Sequence, residues 1–83
     1  MTGGIIEIDV HGKNTEEAKK AINMQIHAAE KSICRIRVIH GYNGGTRIRS
    51  MLREEYGYGR EPAVKRIEMG DNQGITELVI REF

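Results

Sequence analysis

The first half of the chain alternates a strand-like run, a helix-like stripe and a second strand-like run. Residues 5–10 are rich in β-branched side chains that alternate with Glu7 and Asp9, which is typical of a strand with one apolar face. Residues 35–39 repeat this alternation. Because a strand–helix–strand crossover is nearly always right-handed, we expect the two strands to be parallel and to lie side by side or nearly so.

The segment between these strands has the spacing of an amphipathic helix. Asn14 followed three residues later by Glu17 predicts a capping box at its start. Apolar residues then recur at spacings of three and four, and they are Ala18, Ala21, Ile22, Ile26, Ala29 and Ile33. This stripe predicts a helix of about five turns with one buried face.

The second half of the chain predicts one more helix and a hairpin. Thr46 is a suitable N-cap, and Gly57 with Gly59 would end the helix. One face of this helix is apolar and carries Ile48, Met51, Leu52 and Tyr56. Residues 63–69 and 75–81 are strand-like, and the glycine-containing segment between them predicts a β-hairpin.

The predicted order is therefore β-α-β-α-β-β in a single domain over residues 1–83, an α/β fold of the two-layer α+β sandwich type. Each helix has one apolar stripe and the strands alternate, so we expect a four-stranded mixed sheet with both helices on one face. The other face should be polar. There we expect Arg35 and Arg37 to pair with Glu7 and Glu77 across strands rather than to contact nucleic acid.

Composition narrows the class of protein. No apolar run approaches the roughly 20 residues of a membrane span, and no signal segment begins the chain, so the expected location is the cytoplasm. The single cysteine, Cys34, is predicted to be a buried structural thiol. The net charge of +1 does not indicate a nucleic-acid-binding protein, but Arg47, Arg49 and Arg53 form a local basic cluster.

Each of the first two predicted strands ends in a His-Gly pair, at the first corner (His11-Gly12) and the second corner (His40-Gly41). Parallel strands would bring both corners to one edge of the sheet, where ligands of open α/β sheets bind. Asp9, His11 and His40 would then converge. A histidine there can transfer protons, and Asp9 can orient an imidazole or help to hold a divalent cation. Hydrogen-bonded structural roles are the alternative for all three.

The segment after the second corner has features of a phosphate site. Gly44 and Gly45 precede a helix start, where free N–H groups and the helix dipole attract anions. Arg47 and Arg49 in the first turn oppose that dipole, which favours a bound anion there. Tyr42 can stack on a base, and the alternative is an exposed loop tyrosine with no partner. The glycines also suit a turn with no ligand.

These residues resemble the motifs of the small MutS-related (Smr) domain family. Residues 8–12, Ile-Asp-Val-His-Gly, resemble its Leu-Asp-Leu-His-Gly signature. The second corner, the pair Gly44-Gly45 and the following Ile48-Arg49 resemble its second motif, and residues 70–80 resemble its closing strand. There is one departure, because Asn43 stands where a second loop glycine is expected.

The resemblance implies a fold similar to the C-terminal domain of translation initiation factor three, and binding of DNA or RNA. Some family members nick or cleave nucleic acid, which makes Asp9, His11 and His40 candidate catalytic residues of an endonuclease acting by phosphodiester hydrolysis or transfer. The candidate nucleic-acid contacts are Gly12, Lys13, Gly41, Tyr42, Gly44, Gly45, Arg47, Arg49 and Arg53.

The candidate cofactor is a divalent cation, magnesium or manganese, with no ligand set assigned. We expect a monomer or weak dimer that does not bind membranes. Binding ranks above cleavage, because binding requires only a positive edge whereas cleavage requires an accurately arranged set of groups. A non-catalytic nucleic-acid-binding or protein-interaction module is the alternative.

Overall fold

The computed structural model describes residues 4–41 and 46–81. Its elements are β1 (Gly4–Asp9), α1 (Thr15–Ala28), β2 (Ile33–Ile39), α2 (Thr46–Tyr56), β3 (Arg66–Met69) and β4 (Ile75–Val79). The predicted order of strands and helices is confirmed. The predicted loop contacts Tyr42, Gly44 and Gly45, together with Asn43, lie outside the described residues.

The four strands form one mixed sheet in the order β1-β2-β4-β3. β1 and β2 are parallel neighbours, as predicted, and their register places Asp9 opposite Ile39. β4 runs antiparallel to both β2 and β3. The carboxyl ends of β1 and β2 therefore leave the sheet at the same edge.

Both helices pack on one face of this sheet. The core combines the buried stripe of α1 (Ala18, Ile22, Ile26), that of α2 (Ile48, Leu52, Tyr56) and strand residues that include Ile36, Val38 and Leu78. Tyr56 lies in the core as predicted, and its hydroxyl donates to Asn23 Oδ1 at 2.6 Å. This hydrogen bond and the ion pair between Lys19 and Glu55, at 3.3 Å, join α2 to α1 beside their apolar contacts. Neither described helix is long and apolar enough to cross a membrane.

The opposite face of the sheet, called the open face below, is covered by ion pairs. Arg35 Nη1 lies 2.7 Å from Glu68 Oε1 and 2.8 Å from Glu77 Oε1. Arg37 lies 3.3 Å from Glu77 through Nε and 3.6 Å from Glu7 through Nη1. The predicted pairing of Arg35 and Arg37 with Glu7 and Glu77 is confirmed, so these arginines are already neutralised within the fold.

Several predicted boundaries were wrong. α1 ends at Ala28 rather than continuing to Ile33, because Ala29 is extended and Ile33 opens β2 opposite Gly4. Strand pairing therefore prevails over the helical spacing of these apolar residues. β3 and β4 are shorter than predicted. Cys34 is half-buried, and its thiol donates to the Gly4 carbonyl oxygen at 3.4 Å, which is a structural role.

Candidate functional site

The first corner holds an oriented histidine. Asp9 Oδ1 accepts hydrogen bonds from the His11 backbone N–H at 3.0 Å and from His11 Nδ1 at 2.5 Å. Gly12 follows in the left-handed region with φ of 81°, and the Lys13 N–H closes the turn on the Val10 carbonyl at 3.1 Å. Because a carboxylate only accepts, Nδ1 of His11 carries the proton and Nε2 is left to exchange protons with a ligand.

This pair is open to solvent. The side chains of His11 and Asp9 are 71% and 53% exposed, so a large ligand can reach the imidazole. The hydrogen bond from the His11 imidazole, followed by that from its backbone N–H, lowers the pKa of Asp9 below its ordinary value. Asp9 is thus a carboxylate at neutral pH, and it holds the His11 imidazole in one orientation.

The second corner holds a histidine of a different kind, because His40 is only 1% exposed. Its Nδ1 donates to the Gly41 carbonyl oxygen at 3.1 Å, and its Nε2 accepts from the Thr76 hydroxyl at 2.9 Å. Burial, with a smaller contribution from the charge of Arg49, lowers the pKa of His40. His40 is neutral, buried and bonded at both nitrogens, which favours the structural alternative over catalysis.

The two corners nevertheless meet at one edge of the sheet. The backbone N–H groups of His40 and Gly41 both donate to the Gly74 carbonyl oxygen, at 2.9 and 3.0 Å. Gly41 has φ of 80°, and a Cβ added to it would lie 3.8 Å from His11 Cβ. We call this edge the rim, formed by Asp9, His11, Gly12, Gly41 and Gly74. It brings Asp9 and His11 to the surface and keeps His40 beneath it.

Four exposed cations lie around the rim: Lys13, Arg47, Arg49 and Arg53. Among residues 4–41 and 46–81, none of them forms an ion pair with a carboxylate. Lys13 and Arg47 line one cavity of about 350 Å³ between the first corner and α2. Arg49 and Arg53 line a second cavity of about 350 Å³ beside β3.

The two helix N-termini at this edge differ in charge. α1 has Glu16 and Glu17 in its first turn and the predicted capping box, in which the Glu17 N–H donates to Asn14 Oδ1 at 2.8 Å. α2 has no acidic residue in its first turn and instead carries Arg47 and Arg49 there. The positive end of the α2 dipole is therefore reinforced by the chain's own side chains rather than neutralised by them.

The described residues contain no cluster of side chains that could by themselves hold a divalent cation. No group of three or more histidine, cysteine, aspartate or glutamate side chains in residues 4–41 and 46–81 is placed to hold a metal ion. Asp9, the carboxylate suggested from sequence, is engaged with His11. The candidate magnesium or manganese ion thus has no set of three protein side chains to bind it within this part of the chain.

No sequence pattern assigns a role to Thr76, although its hydroxyl donates a hydrogen bond to His40. The only signal was its position in the closing segment that resembles the family motif. Met69 and Gln73, which line the cavity beside β3, were also missed. No local pattern distinguishes them, because the cavity exists only where the hairpin lies against α2.

Comparison with known proteins identifies a family and a structurally similar domain. The family model for the Smr domain matches residues 8–76. The crystal structure of the Smr domain of Thermus thermophilus MutS2 superposes with a TM-score of 0.79 at 22% sequence identity, covering 93% of this chain and 99% of that chain. At this identity the structural likeness shows the fold alone. No curated protein matches the chain.

Replacing Thr76 with valine tests the structural role of the second corner. Thr76→Val keeps the shape but leaves His40 Nε2 buried without a donor, so we expect the free energy of unfolding in urea to fall by about 1–3 kcal/mol. Thr15→Val is the matched control, because the hydroxyl of this half-buried threonine has no hydrogen bond to any described residue. Equal losses in the two variants would contradict the role of the His40–Thr76 hydrogen bond.

The protonation of His40 gives a second test. Its pKa in the folded chain lies below the ordinary 6.5, so unfolding raises it and the unfolded chain binds more protons at acid pH. The stability that neutral His40 contributes is fully present above about pH 6.5. It is lost as the pH falls through the pKa of His40 in the folded chain. Imidazole NMR, with His11→Gln and His27→Gln for assignment, should place the His40 midpoint below 6.5. A midpoint at or above that value contradicts the prediction.

Proposed function

Because this chain belongs to the Smr domain family, we propose that it binds nucleic acid, DNA or RNA, along the rim. The observation that carries the proposal is that the chain's cations are paired with carboxylates on one surface and unpaired on another. Arg35 and Arg37 on the open face are held by carboxylates, whereas Lys13 and Arg47 beside the rim have no acidic partner among the described residues.

This division matters for the free energy of binding. Cations that contact phosphates release condensed counterions, and this release is the main source of affinity that does not depend on sequence. An arginine held by a glutamate must first leave that partner, which offsets the gain. The unpaired cations at the rim carry no such cost, so the rim is favoured over the open face.

The N-terminus of α2 supports the same surface. Arg47 and Arg49 lie in its first turn, where positive side chains are unfavourable beside the positive end of the helix dipole. A phosphate bound there would turn this repulsion into attraction and would accept hydrogen bonds from free backbone N–H groups. The cavity shared by Lys13 and Arg47 is the proposed seat of that phosphate.

The salt dependence of binding tests the proposal. We expect Lys13→Gln/Arg47→Gln to weaken binding of duplex DNA and to reduce the slope of log affinity against log salt by about two, close to one unit per lost phosphate contact. Lys20→Gln/Lys31→Gln is the matched control, because both lysines are exposed and lie away from the rim. Replacing them removes the same amount of charge. Fluorescence anisotropy over a salt series measures both.

Two results would count against the rim. Equal salt slopes for the two double variants would mean that only net charge affects binding. If the affinity of the unaltered protein did not depend on salt, binding would not involve phosphate contacts at all. The alternative of a protein-docking module has little to support it, because the exposed large apolar side chains of the described residues lie on four separate segments: Ile5, Met24, Tyr58 and Met69. Oligomeric state stays a prediction.

The Asp9–His11 pair favours a second candidate, an endonuclease activity at the same rim. Nε2 of His11 would take a proton from water, or from an RNA 2′-hydroxyl, as that oxygen attacks phosphorus and the bond to the leaving oxygen breaks. Asp9 would hold the imidazole and stabilise its protonated form. His40 is not included, since both of its nitrogens are bonded within the fold.

Cleavage assays test this second candidate. Supercoiled plasmid and structured RNA would be incubated with the protein in EDTA, Mg²⁺ and Mn²⁺. We expect His11→Gln to lower any cleavage rate by about 10²–10⁴-fold, the usual loss of a general acid or base. Asp9→Asn should lower it less, and His27→Gln, in α1, should leave it unchanged.

The decisive comparison is the double variant Asp9→Ala/His11→Ala. Cleavage that persists unchanged in this variant would come from a contaminant and would reject the nuclease. Absence of cleavage by the unaltered protein in all three conditions would reject it too, while the binding proposal would still stand on its own salt test.

A further inference from the structure

The second cavity, beside α2 and β3, has a lining unlike that of a simple phosphate-binding site. Arg49 and Arg53 lie one turn apart on the same side of α2. Met69 and Gln73 come from the β3–β4 hairpin, and Thr76 from β4. Met69 is 71% exposed, although its register opposite Thr76 places it on the sheet face that the helices cover elsewhere.

This lining matches a flat group that has apolar faces and polar edges. The thioether of Met69 is apolar and polarisable, and arginine guanidinium planes stack on nucleobases. The exposed Gln73 amide both donates and accepts hydrogen bonds, as required to contact the edge of a base. The cavity of about 350 Å³ falls within the usual size of small-ligand sites.

One acidic residue, Glu68, also lines this cavity. Its carboxylate is held by Arg35 Nη1 at 2.7 Å and by Arg66 Nε at 2.8 Å. Hydrogen bonds from Arg35 and then from Arg66 lower the pKa of Glu68, so it stays ionised and paired. The uncompensated charge of the cavity therefore comes from Arg49 and Arg53, and it suits the phosphate that adjoins a bound base.

The cavity adjoins the second corner through one hydrogen bond. Thr76 lines the cavity and donates to Nε2 of His40, whose neighbour Gly41 belongs to the rim. Arg49 lies close enough to His40 for its charge to act on that imidazole. A nucleic-acid strand whose phosphates follow the rim would thus pass the opening of the cavity.

We propose that this cavity binds one unstacked nucleobase of a single-stranded or locally unpaired nucleic acid. The proposal rests on the proposed function, since the rim supplies the phosphate contacts. Bases within an intact duplex are stacked and are not available without the free-energy cost of extrusion. The cavity therefore makes single strands, bulges and distorted sites the preferred substrate class, without requiring a particular base sequence.

The experiment compares strands with and without bases. The probes are a labelled single strand of about 12 nucleotides, within the range one small module occupies, and the same strand with abasic central positions. We expect the complete strand to bind about fivefold more tightly, the lower end of what one stacked base contributes. Met69→Ala and Gln73→Ala should each reduce this preference while affinity for the abasic strand stays unchanged.

Met24→Ala is the matched control, because Met24 is a similarly exposed methionine (64%) located on α1. It should keep the full preference for the complete strand. Equal affinity for complete and abasic strands, or a Met69→Ala variant that weakens both alike, overturns the base site while phosphate binding at the rim stands. If the protein binds neither strand and does not bind duplex DNA either, the proposed function itself is overturned.

Discussion

The parallel pairing of β1 and β2 is the constraint on which the other features depend. Its register sets Asp9 opposite Ile39, and the Val10 N–H extends it by donating to the Ile39 carbonyl at 2.9 Å. The two strands therefore end side by side, and their His-Gly corners lie next to each other at one edge of the sheet. An antiparallel pair would send the corners to opposite ends of the sheet, and no shared rim would exist.

The open face and the rim differ in how their charges are paired. On the open face glutamates and arginines form ion pairs between strands, as Arg37 does with Glu7 and Glu77. That network covers the side of the sheet that has no helices. Lys13 and Arg47 beside the rim form no ion pair with a carboxylate of the described residues. A net charge of +1 therefore conceals a local positive surface, which is what a phosphate backbone would meet.

Features that depend on neighbouring residues were predictable from the sequence. Asp9 and His11 are two positions apart on one strand face, and the capping box of Asn14 and Glu17 spans a single turn. The end of α1 was not predictable in this way. Ile33 continues the helical spacing of the apolar stripe, but pairing with Gly4 draws it into β2, and this pairing joins segments far apart in the chain.

The two histidines illustrate the same division most clearly. Local sequence determined that each strand would end in a His-Gly turn and that Asp9 could hold His11. Only the packed structure decided that His40 is buried, because its partner Thr76 lies 36 residues away on β4. The cavity between α2 and the hairpin likewise joins Arg49 to Met69 and Gln73. Burial and cavities arise where segments that are distant in the sequence pack together. They therefore cannot be predicted from the spacing of residues along the chain.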